Sequence, residues 1–216
     1  MRYAFYCHGG SMNHGCEAII RTLSDLIKSK DESAYVKVYT FNEKEDKKFV
    51  FDSIDEFEEF KFNKKPENVS FFDKLRLALY SKQNQSKADR FYYTISCRNP
   101  GLKDNDVYIS VGGDNYCYGD NHVSMAFNQV VRSLGKKTVL WGCSIGEENL
   151  TEEKIEDLKG YDLIVARETI TYNTLLKHGI NKNTVLYPDS AFTLGLQDSE
   201  YNFKEKSYIA VKIGNI

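Results

Sequence analysis

The sequence predicts an α/β fold, a doubly wound parallel sheet with helices on both faces. Two observations carry that reading. Short β-rich apolar runs alternate along the chain with stretches of helical periodicity, the pattern of a parallel sheet with crossover helices. Glycine clusters stand at the carboxyl ends of several of those runs, where such sheets gather their binding loops. The chain has 216 residues, of which 41% are hydrophobic and 28% charged. That is enough to bury a sizeable core.

The elements follow in order. Residues 3–7 read as a buried strand leading into a glycine-rich loop over residues 8–16. Residues 17–28 read as a helix, with Ala18, Ile19, Leu23, Leu26 and Ile27 near a 3.6-residue period. Residues 35–40 alternate like a strand, and the charged stretch 43–65 reads as a loop with one short helix. Residues 71–80 and 88–96 look helical. In the second half, strands are expected at 106–111, 137–141, 163–166 and 184–187. Helices are expected at 123–134, 151–158 and 168–177, the last closed by Gly179. Thr151 with Glu152 and Glu153 marks a helix start, since carboxylates favour the positive end of the helix dipole. Residues 196–206 carry five charges and read as a linker, and 207–213 as a new strand. A lone strand cannot bury its own faces. The expected organisation is therefore one domain over 1–195, a linker over 196–206, and the first strand of a C-terminal domain over 207–216.

Composition excludes several partners. A net charge of -2 and a pI near 6.1 give no reason to expect nucleic acid or an anionic membrane. No run approaches the ~18 apolar residues of a spanning helix, and the first apolar stretch is too short for a signal peptide. Five cysteines without CxxC spacing fit no disulfide framework, so free thiols and a cytoplasmic setting are expected. Cys7, His8, His14 and Cys16 lack zinc-like spacing, and neither metal nor cofactor is expected. His178 beside Gly179 reads as a helix C-terminal residue. The 15 Tyr and 13 Phe suit a carbohydrate-handling protein, although each ring is first of all core filler.

Five loops could carry chemistry. The first holds Asn13, Gly15 and Glu17, where backbone amides could meet an anion or Asn13 could simply cap a helix. Its spacing is neither GxGxxG nor a P-loop, which disfavours a nicotinamide dinucleotide. The second holds Gly112, Gly113, Asp114 and Asn115. A carboxylate there could take a proton from a sugar hydroxyl, or cap a turn. The third holds Gly142, Cys143 and Ser144; Cys143, without a base nearby in sequence, reads as an inert thiol. The fourth is Arg167, suited to two-pronged binding of carboxylate or phosphate, or to a surface ion pair with Glu168. The fifth holds Asp189, which faces the crevice or starts a helical turn.

Taken together, these loops resemble the polysaccharide pyruvyl transferase family. The resemblance rests on residues 13–19 (Asn-His-Gly-Cys-Glu-Ala-Ile), 111–114 (Val-Gly-Gly-Asp) and 142–146 (Gly-Cys-Ser-Ile-Gly). It extends to 165–168 (Val-Ala-Arg-Glu) and 188–192 (Pro-Asp-Ser-Ala-Phe). It implies the Rossmann-like N-terminal half of a GT-B-like two-domain enzyme. It implies phosphoenolpyruvate as donor, a sugar or lipid-linked saccharide as acceptor, and a pyruvate ketal as product. Asp114 and Asp189 are the catalytic candidates. Asn13, Gly15, Glu17, Gly112, Gly113, Asn115, Gly142, Ser144 and Arg167 are the substrate-binding candidates, with Arg167 matching the family's arginine at this strand end. Further cationic donor-binding groups would come from the second domain, so the 216-residue chain alone is expected to be inactive. The common family form has Asp where Cys16 and Glu168 stand here. A nucleotide-sugar glycosyltransferase on the same architecture, or a non-catalytic binding half, are the alternatives.

Overall fold

The computed structural model describes residues 1–60, 75, 95, 99–119 and 121–195. Its sheet consists of β1 (Arg2–Tyr6), β2 (Tyr35–Thr40), β3 (Glu56–Glu59), β4 (Val107–Ser110), β5 (Lys137–Cys143), β6 (Leu163–Ala166) and β7 (Thr184–Leu186). The strand order is β3-β2-β1-β4-β5-β6-β7, and every neighbouring pair is parallel. The helices described in full are α1 (His14–Lys30), α2 (Glu43–Asp46), α3 (His122–Ser133), α4 (Glu152–Lys159) and α5 (Thr169–Lys177). This is a Rossmann-like, doubly wound α/β sheet.

The two faces are sorted by the two-residue period of the strands. From β1, Phe5 joins Ile20, Leu23, Val36 and Val38 in the core beneath α1. Its neighbours Ala4 and Tyr6 point the other way, into a layer with Tyr39, Tyr108, Phe127 and Val131. A third cluster around Leu140, Ile164, Leu158, Leu175 and Ile180 packs α4 and α5 onto β5 and β6. The chain leaves β1 toward β2 and β3, then crosses back to β4 on the other side. The switch point therefore lies at the carboxyl ends of β1 and β4, where crevices form in open α/β sheets.

All six strands expected within residues 1–195 are present, and β3 was not foreseen. The stretch expected to be a loop with one short helix contains that helix, α2, and also β3. Only Phe57 of Glu-Phe-Glu-Glu is buried, so no apolar alternation announced the strand. Its partner makes it: Lys37 of β2 meets Glu56 at 3.1 Å and Glu58 at 2.7 Å, and the Tyr35 hydroxyl donates to Glu56 at 2.6 Å. The expected ending of the fifth strand at Trp141 is also corrected. β5 continues through Gly142, whose φ of +64° places it in the left-handed region, and reaches Cys143 with a register shift against β6. The expected helices at 71–80 and 88–96 lie outside the described residues except for Leu75 and Ile95. The linker and final strand at 196–213 lie outside them altogether.

Candidate functional site

The loop after β4 carries Gly112, Gly113, Asp114 and Asn115, and it is pinned from several sides. Asn115 donates to Ser110 Oγ at 2.7 Å, and the Ser144 amide donates to the Gly113 carbonyl at 2.7 Å. Asn149 donates to the Cys117 carbonyl at 2.7 Å, and Lys154 to the Tyr118 carbonyl at 3.1 Å. Tyr116 is fully buried and donates its hydroxyl to Asp157. Asp114 stands on this braced loop with its side chain 55% exposed.

Arg167 follows β6 and reaches across to that loop. Its Nε donates to Ser144 Oγ at 2.7 Å, its Nη2 to Asp114 at 2.9 Å and its Nη1 to Asp189 at 3.3 Å. One guanidinium thus holds two carboxylates, one from the β4 loop and one from the turn after β7. Three of its five N–H groups are engaged in these bonds. Asp189 meanwhile caps the 3-10 turn Ser190–Thr193, accepting from the Ala191 amide at 3.0 Å, so it both starts a turn and faces Arg167. The expected alternative, an ion pair of Arg167 with Glu168, is not formed. Glu168 caps α5, accepting from the Thr171 amide at 2.9 Å and from the Thr171 hydroxyl.

Beside Asp114 a cavity of about 350 Å³ opens at the switch point. Tyr6, Tyr39, Phe41 and Phe127 contribute aromatic walls, and Asp114 and Asn115 contribute polar ones. His8 lies at the carboxyl end of β1, with Nε2 3.3 Å from Ser11 Oγ and 3.6 Å from Asp46 Oδ1. Sequence reasoning set His8 aside for want of zinc-like spacing, and its neighbour Asp46 lies in a charged stretch far along the chain. Among the described residues, no group of three or more His, Cys, Asp or Glu is arranged to hold a metal ion, and no helix is long and apolar enough to cross a membrane.

The model of one protein family, polysaccharide pyruvyl transferase, matches residues 13–214. The chain belongs to the polysaccharide pyruvyl transferase family. No curated protein matches it. A solved structure, "putative UDP-N-acetylglucosamine 2-epimerase from Listeria monocytogenes", is similar at 12% identity and a TM-score of 0.46. The match covers 85% of this chain and 43% of that one, so the chain spans less than half of that structure's length.

Within this member of the pyruvyl transferase family, the expected site residues fall into two groups. Gly113, Asp114, Ser144, Arg167 and Asp189 come together, with Gly142 opposite Asp189 and with Gly112 and Asn115 shaping the same loop. Asn13, Gly15 and Glu17 stand at the start of α1 and are occupied there. Asn13 Oδ1 accepts from the Gly15 amide at 3.0 Å and the Cys16 amide at 3.3 Å, and Glu17 pairs with Arg21 at 2.6 Å. These amides already have an acceptor, which leaves the helix start less open to an anion than its glycines suggest. Cys16 and Glu168, the two positions where the resemblance led to an expectation of Asp, diverge in character. Glu168 keeps a carboxylate as the cap of α5, whereas burial pushes the Cys16 thiol up. Burial likewise pushes the Cys143 thiol up to about 12, in keeping with an inert thiol.

Proposed function

We propose that the protein transfers pyruvate from phosphoenolpyruvate to two hydroxyls of a sugar or lipid-linked saccharide, in the cytoplasm, releasing phosphate and forming a ketal. The observation that carries this reading is Arg167 held between Asp114 and Asp189 beside an aromatic cavity. The reaction needs a cation for the donor's carboxylate or phosphate and proton-carrying groups within reach of the reacting carbon. Arg167 retains N–H groups for the donor, and Asp114, the more exposed carboxylate, can give way to it. Asp114 and Asp189 are the proton carriers. The aromatic walls suit the apolar face of a sugar ring, and a second domain supplies further cations and the opposite wall of the crevice.

Arg167→Lys tests the donor assignment in the full-length protein, since lysine keeps the charge but loses the fork. Calorimetric titration should show phosphoenolpyruvate binding weakened by about 2 kcal/mol, or roughly thirtyfold. Equal affinities would remove Arg167 from the site. If a nucleotide sugar raises the melting temperature and phosphoenolpyruvate does not, the donor is wrong and the glycosyltransferase reading replaces this one.

A further inference from the structure

Of the three partners of Arg167, one brings no charge. Asp114 and Asp189 bind its terminal nitrogens, whereas the Ser144 hydroxyl oxygen accepts from Nε at 2.7 Å. Ser144 is itself fixed by its backbone. Its amide donates to the Gly113 carbonyl at 2.7 Å, and its carbonyl accepts from the Cys117 thiol at 2.9 Å. The next amide, that of Ile145, donates to the Thr171 hydroxyl at 2.8 Å. Ser144 Oγ thus stands at a joint between the Asp114 loop and α5. The hydroxyl proton has a place as well. Burial pushes the Glu168 carboxyl up, but the Thr171 hydroxyl and amide, the Ile170 amide and the Ser144 hydroxyl together hold it below its ordinary value. The Nε–H bond of an arginine lies in the plane of its guanidinium. A fixed acceptor there sets the rotation of that plane, and with it the direction of the terminal N–H groups.

We infer that Ser144 is the positioning residue of the donor site: it acts through Arg167, setting the plane of the guanidinium, and does not touch the donor. This role rests on the donor binding at Arg167 proposed above. From the sequence, Ser144 stands among the substrate-binding candidates in its own right. Its hydroxyl is instead engaged twice, the oxygen by Arg167 and the proton by Glu168. When the donor arrives and Asp114 gives way, Ser144 at Nε and Asp189 at Nη1 still hold the guanidinium. The Asp189 contact is the longer of the two at 3.3 Å, and that carboxylate also serves the Ala191 amide. Ser144 therefore carries the orientation through the exchange of partners and leaves the remaining terminal N–H groups aimed at the donor. Without it the positive charge stays, but the plane turns freely and binding must bear the cost of ordering it. Glu168 adds little, because the backbone of Ser144 sets where the oxygen lies.

The test titrates phosphoenolpyruvate calorimetrically into the full-length protein, into Ser144→Ala, into Arg167→Lys and into the double variant. Ser144→Ala should weaken binding about tenfold, with a melting temperature close to wild type. In the Arg167→Lys background the same change should cost nothing further, because lysine has a methylene where arginine has Nε, and a residue that acts only through another has no effect once that other is gone. Nitrogen-edited NMR gives a readout into which donor binding does not enter. The Arg167 Nε–H of the donor-free wild type should be protected from exchange with water, and Ser144→Ala should remove that protection. Losses that multiply in the double variant would show that Ser144 touches the donor itself. That result, a Ser144→Ala protein with wild-type affinity, or an Nε–H that exchanges equally fast in both proteins would each overturn the positioning role while leaving donor binding at Arg167 intact. Equal affinities of wild type and Arg167→Lys, or a wild type that does not bind phosphoenolpyruvate, would instead overturn the donor reading, and this role with it.

Discussion

At Gly113 the difference between a hydrogen and a methyl group decides whether Arg167 can lie where it does. A Cβ there would stand 2.3 Å from Arg167 Nη1 and 2.9 Å from its guanidinium carbon. Gly113 is outside the left-handed region, so alanine fits the backbone and only the side-chain clash matters. Gly113→Ala should therefore swing the guanidinium away from Asp114 and Asp189. We expect phosphoenolpyruvate affinity to fall at least as far as in Arg167→Lys, roughly thirtyfold, with a melting temperature close to wild type. Titration calorimetry and a thermal melt check both halves, and unchanged affinity would show that the contact does not matter. The same reach explains why Glu168, the alternative partner that the sequence offered, is not the one Arg167 finds. Glu168 is adjacent in the chain, but its carboxylate is bound to the first turn of α5, and the guanidinium finds two aspartates 53 and 22 positions away.

The caps decide where elements begin. Asn13 closes the first turn of α1, which starts at His14, ahead of the apolar periodicity that announces the helix. Asn13→Ala should lower stability by about 1 kcal/mol in denaturant unfolding. Glu168→Ala offers a sharper contrast. As the cap of α5 it should lose about 1 kcal/mol of stability too, yet leave phosphoenolpyruvate affinity within about twofold. A large loss of affinity would mean that Glu168 touches the donor after all. Strand β3 shows the opposite case, an element without a signature of its own. Three glutamates around Phe57 look like a solvated run, yet they pair with β2, where Lys37 binds Glu56 and Glu58 and the Tyr35 hydroxyl binds Glu56.

Across the whole molecule, one buried network ties the site to the scaffold. Asp157 of α4 accepts from Arg132 Nη1 at 2.7 Å, from Asn128 at 2.7 Å and from the Tyr116 hydroxyl. Asn128 in turn donates to the Tyr161 hydroxyl at 2.7 Å and accepts from the Tyr6 hydroxyl at 2.5 Å. The network joins β1, the Asp114 loop, α3 and α4. Asp157→Leu would leave Arg132 and the tyrosine hydroxyls without their shared acceptor. The expected loss is about 3 kcal/mol, a drop of about 6–12 °C in melting temperature for a chain of this size. A melt within about 2 °C of wild type would mean that the network contributes little to stability.

The sequence by itself determined the doubly wound architecture, six of the seven strands and the loops that gather at their carboxyl ends. Those features are local: two- and 3.6-residue periods, glycines after apolar runs, and caps such as Asn13 and Thr151 that act on amides a few residues away. The tertiary structure alone decided which side chains meet. Arg167 finds Asp114 and Asp189, His8 finds Asp46, and Lys37 finds Glu56 and Glu58, each across a sheet neighbour or a loop. The physical reason is range. Local backbone preferences act over a few residues and are written in the order of the chain. A charge or a lone pair responds to whatever lies within a few ångströms, and only the folded sheet brings those partners there.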